Sequence, residues 1–474
     1  MLIWKGNFTG QSDSKWNGIP DSFAECIGVD GHSTPGLLKV HQKLTKNSGS
    51  TVDEFCKVSV SASTGYHFWF SADSGKIYAR ASNGTWTLAY TTVAGAGEHK
   101  CLGAMEFDGY IYWATQSRLH RVTIAGADDS WAAGAVTLNF ATFGVTDASF
   151  HPMALQDIQL FIGDGNQVAS VDEAGVFLAN ALDLNTPFRI KSMAAYDIDL
   201  LIGTYVADSV NKTQIVRWDT VSPTWNTSDP IEENGINCFI RDDNYLYVNA
   251  GKAGNLYVYD GQYLLPYKRI PGSYTSSAYG EIYPNAVGNF NGVPVFGFSN
   301  GSGNPAKQGV YSFGSYSRDY PKVLDLSWVI SQNIVASVEI GAILVSGLDL
   351  YVSWKDGSNY GVDKIDYTAK YASAYLETRM LGQDVRNLEK VFARIAAYYN
   401  SLPASTGITF SYSINGAAYV AMTSVTNTEL NEIFSDLSIG KIGSLQIKVA
   451  FTVSANDAPT VEVISIDFQS IEDA

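Results

Sequence analysis

One unit recurs along most of this chain and constrains its fold more than any other feature. A turn built on Asp, Asn or Gly leads into a short apolar or aromatic strand, and a second alternating strand follows. The copies read YHFWFSADSGKIYAR (66–80), DGYIYWATQSRLHRV (108–122), QDIQLFIGDGNQVASV (156–171), YDIDLLIGTYVADSVNKTQIVRW (196–218), DDNYLYVNAGKAGNLYVYDG (242–261), FNGVPVFGFSNGSGNPAKQGVYSFG (290–314) and GLDLYVSWKDGSNYGVDKID (347–366). Anchored at Phe68, Ile111, Leu160, Leu200, Leu246, Val295 and Leu350, their first strands lie 43, 49, 40, 46, 49 and 55 residues apart, about 47 on average. Four-stranded propeller blades repeat every ~40 to 50 residues, whereas the coils of a linear β-solenoid are shorter than ~30. Each hairpin alone would leave an apolar face in water, and a ring of such units buries all of them while removing long free edges. The spacing therefore predicts an all-β chain with a β-propeller of about seven blades over residues 55–372. Outer strands are expected from stretches such as NGTWTLAYT (83–91) and VSPTWNTS (221–228).

The two ends depart from this rhythm. Residues 1–54 lack the hairpin and are expected to complete the propeller by lending a strand to its last blade. Beyond residue 372 the pattern changes, and 373–474 reads as a C-terminal β-sandwich. There ITFSYSINGAAYVAM (408–422) is a hairpin with Asn-Gly at its turn, and SLQIKVAFTV (444–453) and TVEVISIDF (460–468) alternate with strand period. VFARIAAYY (391–399) is read as a strand in preference to a helix, and TELNEIFSDL (428–437) as the best single helix.

Composition agrees with this class. Of 474 residues only 16% are charged, with 43 Gly, 28 Tyr and 22 Phe, and helix exteriors need the Glu, Lys and Arg that are missing. The 31 Lys and Arg against 47 Asp and Glu give a net charge of −16, which argues against specific nucleic-acid binding. The start, MLIWKGNFTGQSDSKW, has no apolar run of signal-peptide length, and IGAILVSGLDL (340–350) is too short to span a bilayer. A soluble, unprocessed protein without a membrane span is the expectation. Cys26, Cys56, Cys101 and Cys238 contain no CxxC pair and are expected as buried thiols, with two long-range disulfides as the alternative.

Motifs that could carry chemistry mostly have a structural explanation. GFSNG (297–301) matches the nucleophile-elbow pattern around Ser299, but the NGSGNPAKQG that follows cannot begin the required helix. Asp157, Asp197, Asp199, Asp243 and Asp349 recur near first-strand starts, where a glycosidase would draw axial carboxylates but where Asp is also a turn former. His32, His41, His67, His99, His120 and His151 show no metal-ligand spacing. Trp113, Trp218, Trp225 and Trp354 are expected in the core rather than as sugar-stacking platforms. No catalytic, cofactor-binding or metal-binding residue is assigned, and no enzyme is expected.

SADSGKIY (71–78) resembles the Asp-box of sialidases and related propellers, a structural turn between blade strands. The resemblance implies turn roles for Ser71, Asp73, Gly75 and Tyr78, with Asp73 capping backbone N–H groups and Gly75 supplying positive φ. DGHSTPGLLKVHQKLTKNSGSTVDEF (30–55), leading into FWFSADSGKIYAR (68–80), resembles the start of virion propeller proteins of tailed bacteriophages. YLETRMLGQDVRNLEKVFARIAAYY (375–399), followed by FSYSINGAAY (410–419), resembles the β-sandwich that such tail proteins append. The resemblance implies a structural virion protein of the tail tip, nozzle or hub, assembled in the host cytoplasm as a homo-oligomeric ring with other tail proteins. The alternatives are a receptor-binding protein for host-surface glycan and, behind it, a propeller glycosidase.

Overall fold

The computed structural model describes residues 22–31, 33–34, 36–92, 98–145, 148–207, 211–242, 245–261, 263–272, 279–300, 308–315, 322–332, 337–381, 390–426, 432–436 and 444–470. Among them the chain is all-β and propeller-like. Sheet A is an antiparallel meander of Cys56–Ser61, His67–Ser71, Lys76–Arg80 and Trp86–Thr91. Sheets B to E repeat it, beginning at Gly103, Met153, Phe188 and Ile236 and ending at Thr142, Asp183, Ile231 and Arg269. Sheet F uses Val287–Phe290, Val293–Asn300, Gly309–Gly314 and Val323–Trp328, and sheet G begins with Val338–Ser346, Asp349–Asp356 and Asn359–Lys370. All seven hairpins read from the sequence are the second and third strands of these sheets. Their anchors Phe68, Ile111, Leu160, Leu200, Leu246, Val295 and Leu350 are fully buried.

The first strand of each sheet packs on the first strand of the next, from A through G and back to A, so the circuit closes. A recurring close approach makes this fit. Gly163, Gly203 and Gly297, each in a second strand, lie where a Cβ would come within 2.7, 2.6 and 2.1 Å of Ile190, Ile236 and Ile340 of the following sheet. At the G-to-A junction Ser353 takes the equivalent place, its hydroxyl donating to the Cys56 carbonyl at 2.8 Å. Gln42–Lys46 supplies the fourth strand of sheet G, with Leu44 opposite Ile365 and Lys46 opposite Asp363.

The remainder of the N-terminal segment goes elsewhere. Phe23–Ile27 pairs in parallel with Val323–Trp328 of sheet F and antiparallel with Tyr375–Thr378, which continues through Leu445–Thr452 and Gly407–Ile414 to Val420–Thr426. Val29–Asp30 and Leu38–Val40 join Thr460–Ser470, Lys390–Tyr399 and Glu432–Asp436 in another sheet. These two groups of strands enclose one apolar cluster that includes Phe23, Leu38, Leu376, Phe410, Ile447 and Val461. Residues 23–40 thus belong with the C-terminal strands, and only 42–46 closes the ring. The reason is visible in the sequence: Phe23, Cys26, Val29, Leu38 and Val40 face that cluster, whereas in 42–46 only Leu44 is buried.

The expected helix at 428–437 is corrected: Glu432–Asp436 is a strand paired with Arg394–Tyr398, and 428–431 and 437 lie outside the described residues. An edge of the sheet beside Lys390–Tyr399 was open to pairing, and that tertiary context outweighs local helix propensity. Lys390–Tyr399 is the strand expected, and Asn415 and Gly416 form the 408–422 turn with φ of 50° and 80°. No helix among the described residues is long and apolar enough to cross a membrane.

Candidate functional site

Where the ring's first strands begin, a cavity of about 380 Å³ opens at the axis. Its wall is drawn from sheets A and G and from the segments leading into sheets B, C and F, with Lys57, Lys100, Phe150, Glu281, Tyr283 and Glu339 carrying most of its chemistry. Backbone irregularity aims Lys57 into this wall and sets two further polar groups behind it. Register shifts interrupt the first strands of sheets A, D and E between Cys56 and Val58, Ile190 and Ser192, and Ile236 and Cys238. An extra residue in a strand turns its side chain out of the regular alternation. The residues so placed are Lys57, Lys191 and Asn237.

Two glutamates meet here and both are already engaged. Glu281 takes an ion pair from Lys191 at 3.1 Å, and the same ammonium donates to Asn237 Oδ1 at 2.7 Å. Glu339 accepts the Tyr283 hydroxyl at 2.6 Å and pairs with Lys355 at 3.5 Å. Burial, followed by the two glutamates, raises the Tyr283 phenol far above its usual range, so it stays a donor. Lys57 differs from the paired Lys191 and Lys355. Its Nζ sits 4.2 Å from the Tyr283 ring centroid and 5.5 Å from that of Phe55, with no carboxylate within ion-pair distance among the described residues. Burial pushes its ammonium below the usual range, against the pull of Glu339 and Glu281.

The acids singled out in the sequence do not line this cavity. Asp157 and Asp197 occupy the turns at the opposite ends of first strands, with φ of 52° and 54°. Asp199 is ion-paired with Arg217, Asp349 pairs with Lys364 at 2.8 Å, and Asp243 lies outside the described residues. Ser299 is buried within a strand and its Oγ accepts the Ile340 amide at 2.8 Å, which explains the elbow-like pattern as an inter-sheet contact. Trp113, Trp218 and Trp354 are core residues and Trp225 packs against the cluster that holds Trp218, while His32 is not among the described residues. The four cysteines are buried thiols outside any disulfide, and the described residues hold no cluster suited to a metal.

In the Asp-box-like turn, Gly75 has φ of 77° and a Cβ there would lie 2.9 Å from the Thr92 carbonyl, so glycine is required twice over. Tyr78 donates to Asp53 at 2.5 Å. The expected cap is corrected: the Ser71 hydroxyl, not the Asp73 carboxylate, accepts the amides of Asp73 and Ser74, at 2.9 and 3.2 Å. Glu54 receives both the Ser71 and Ser74 hydroxyls and fixes Ser71 in that role, leaving Asp73 on the cavity wall. Sequence reasoning missed Lys57, Glu281 and Glu339. No local signal set them apart, because Lys57 and Glu339 sit at ordinary polar positions of alternating stretches, CKVSV (56–60) and VEIGAI (338–343).

No known family and no curated protein matches the chain. Among solved structures, it is similar to a streptogramin B lyase, with 12% identity, a TM-score of 0.47 and coverage of 68% of this chain and 97% of that one. A virginiamycin B lyase of Staphylococcus aureus, crystallised with quinupristin, gives 10%, 0.47, 68% and 98%. The extracellular domain of a protein described as a hybrid two-component system of B. thetaiotaomicron gives 14% and 0.47 over 77% of this chain, which spans only 43% of that one.

Proposed function

We propose that the protein is a non-enzymatic structural component of a bacteriophage tail, at the tail tip, nozzle or hub. In this reading sheets A to G are the seven blades of a propeller, and the strands beyond residue 372, joined by residues 23–40, form a β-sandwich. The observation that carries the proposal is the continuous hydrogen-bonded path from Val323–Trp328 through Phe23–Ile27 to Tyr375–Thr378. A module that recognises a ligand on a tether needs a flexible linker, whereas this path, crossing from Leu326 to Ile27 and on to Tyr375, joins ring and sandwich directly, as a force-bearing part of a particle requires. The residues that resemble tail proteins also occupy fitting places. Glu377 and Thr378 close a strand on that path, and the alternating stretch from Lys390 forms the strand Lys390–Tyr399. The acidic charge would discourage adhesion to DNA moving through a tail channel.

Self-assembly into a homo-oligomeric ring with other tail proteins belongs to the same proposal, as does a place in the virion after assembly in the host cytoplasm. Electron microscopy of virions labelled with an antibody to this chain tests it. Label is expected at one end of the particle, and particles that carry none overturn the proposal. The cavity favours glycan recognition as a second reading, since it combines charged donors and acceptors with aromatic walls.

A further inference from the structure

We propose that the axial cavity is a binding site for an acidic monosaccharide, with the Lys57 ammonium taking the sugar carboxylate. The argument starts from which groups of the wall are already satisfied. Glu281 has Lys191, and Glu339 has Tyr283 and Lys355. The Lys191 ammonium is divided between Glu281 and Asn237, and Asn237 is held in turn by Asn249 at 2.8 Å and the Gly251 carbonyl at 2.7 Å. These contacts make a preorganised frame with both signs of charge fixed in place.

Lys57 is the half-buried cation this frame leaves over, while the exposed Lys100 and Asp73 on the same wall are the other charged groups that no side chain holds among the described residues. Its three N–H donors face the rings of Tyr283 and Phe55, which offer attraction but no directed acceptor. A half-buried ammonium gains most from an anion that brings its own oxygens, because a charge-assisted hydrogen bond is about twice as strong as a neutral one. Lys100 on the same wall is exposed, so it adds positive potential where a ligand enters. The second requirement is hydroxyl groups. Glu281, Glu339, Asn285 and Ser149 place acceptors and donors around the same space, at a density that suits a polyol and not an apolar anion. A cavity of about 380 Å³ is of the right order for one sugar ring with ordered water. A sugar carrying one carboxylate satisfies both requirements. It is either a free hexuronic acid or the terminal residue of a glycan.

The proposal concerns the cavity alone and is independent of whether the chain enters virions. Isothermal titration of the full chain uses D-glucuronate, methyl β-D-glucuronide, D-glucose and acetate. Glucuronate is expected to bind at least tenfold more tightly than glucose or acetate. The methyl glycoside binding equally well identifies a glycan terminus as the ligand source, and its failure identifies the free acid. Lys57→Met keeps the apolar stem over Tyr283 and is expected to weaken glucuronate at least tenfold, while Lys57→Arg retains most of the affinity. Circular dichroism melts of both variants separate lost binding from lost folding. No binding of glucuronate or its glycoside at 50 mM overturns the proposal, as does equal affinity for glucose, or wild-type affinity in a folded Lys57→Met.

Discussion

His120 shows how one residue's protonation is built into the packing. Its ring stacks on Trp113 with centroids 5.2 Å apart, and Nδ1 accepts the Asn139 amide at 3.0 Å. With that lone pair committed, Nε2 carries the proton and donates to Thr115 Oγ1 at 3.1 Å, whose hydroxyl donates to Glu98 at 2.5 Å. An added proton on Nδ1 would displace the Asn139 amide, and burial, against the pull of Glu98, pushes the imidazole down to about 4. Because the folded value lies below the unfolded one near 6.5, unfolding takes up a proton between these limits, and stability falls as pH drops through that window. The full difference corresponds to about 3 kcal/mol. Urea unfolding of wild type and His120→Gln at pH 7, 5.5 and 4.5 should show a steeper loss in the wild type by that order. Parallel pH dependences would refute the neutral-histidine account.

Between residue and ring stands the sheet-to-sheet contact, and it repeats. Gly163, Gly203 and Gly297 receive Ile190, Ile236 and Ile340, the last residues before a break in strand regularity or beside it. A side chain at the glycine would meet the isoleucine before either could move, so Gly297→Val, with its Cβ at 2.1 Å from Ile340, should destabilise by about 3 kcal/mol or more. Gly292→Ala is the comparison, a turn glycine with φ of 78° and nothing within 4 Å, where only backbone strain of about 1 kcal/mol is expected. Chemical denaturation of the two variants distinguishes them, and equal effects would mean that the close approach contributes nothing. A second device recurs at this scale: Glu54, Glu98 and Glu233, each just upstream of a first strand, bind the turn between the second and third strands of the same sheet. The hairpins were legible because their apolar alternation and turn residues are local. The glycine contacts, the glutamate anchors and the bulged lysines were not, because each gains meaning only from a neighbour about 15 to more than 200 residues away. Asp73 illustrates the difference: the Asp-box spacing located the turn correctly, but Glu54 decided which side chain caps it.

At the scale of the molecule, residues 22–46 do two jobs at once. Phe23–Val40 lies with the C-terminal strands, Gln42–Lys46 closes sheet G, and the joint between them is pinned by Lys370, whose ammonium donates to the Val40 carbonyl at 2.9 Å and to Gln42 at 3.0 Å. The closing strand pairs along its whole length but buries one side chain. Leu44 is 3% exposed within the core shared by sheets E, F and G, whereas Lys43 on the same strand makes only an exposed ion pair at 3.9 Å with Asp366. Leu44→Asp puts an unpaired carboxylate into that core and should cost about 3 to 5 kcal/mol, while Lys43→Ala should cost less than about 1 kcal/mol. The failure should also be local at first. With its fourth strand released, Asn359–Lys370 becomes a free edge, and hydrogen exchange there should accelerate ahead of sheets C and D on the far side of the ring. Mass spectrometry of exchange in the Leu44→Asp variant provides the measurement. Uniform acceleration around all sheets would show that closure is not carried by this strand, and protection equal to that of Lys43→Ala would show that the ring holds without it.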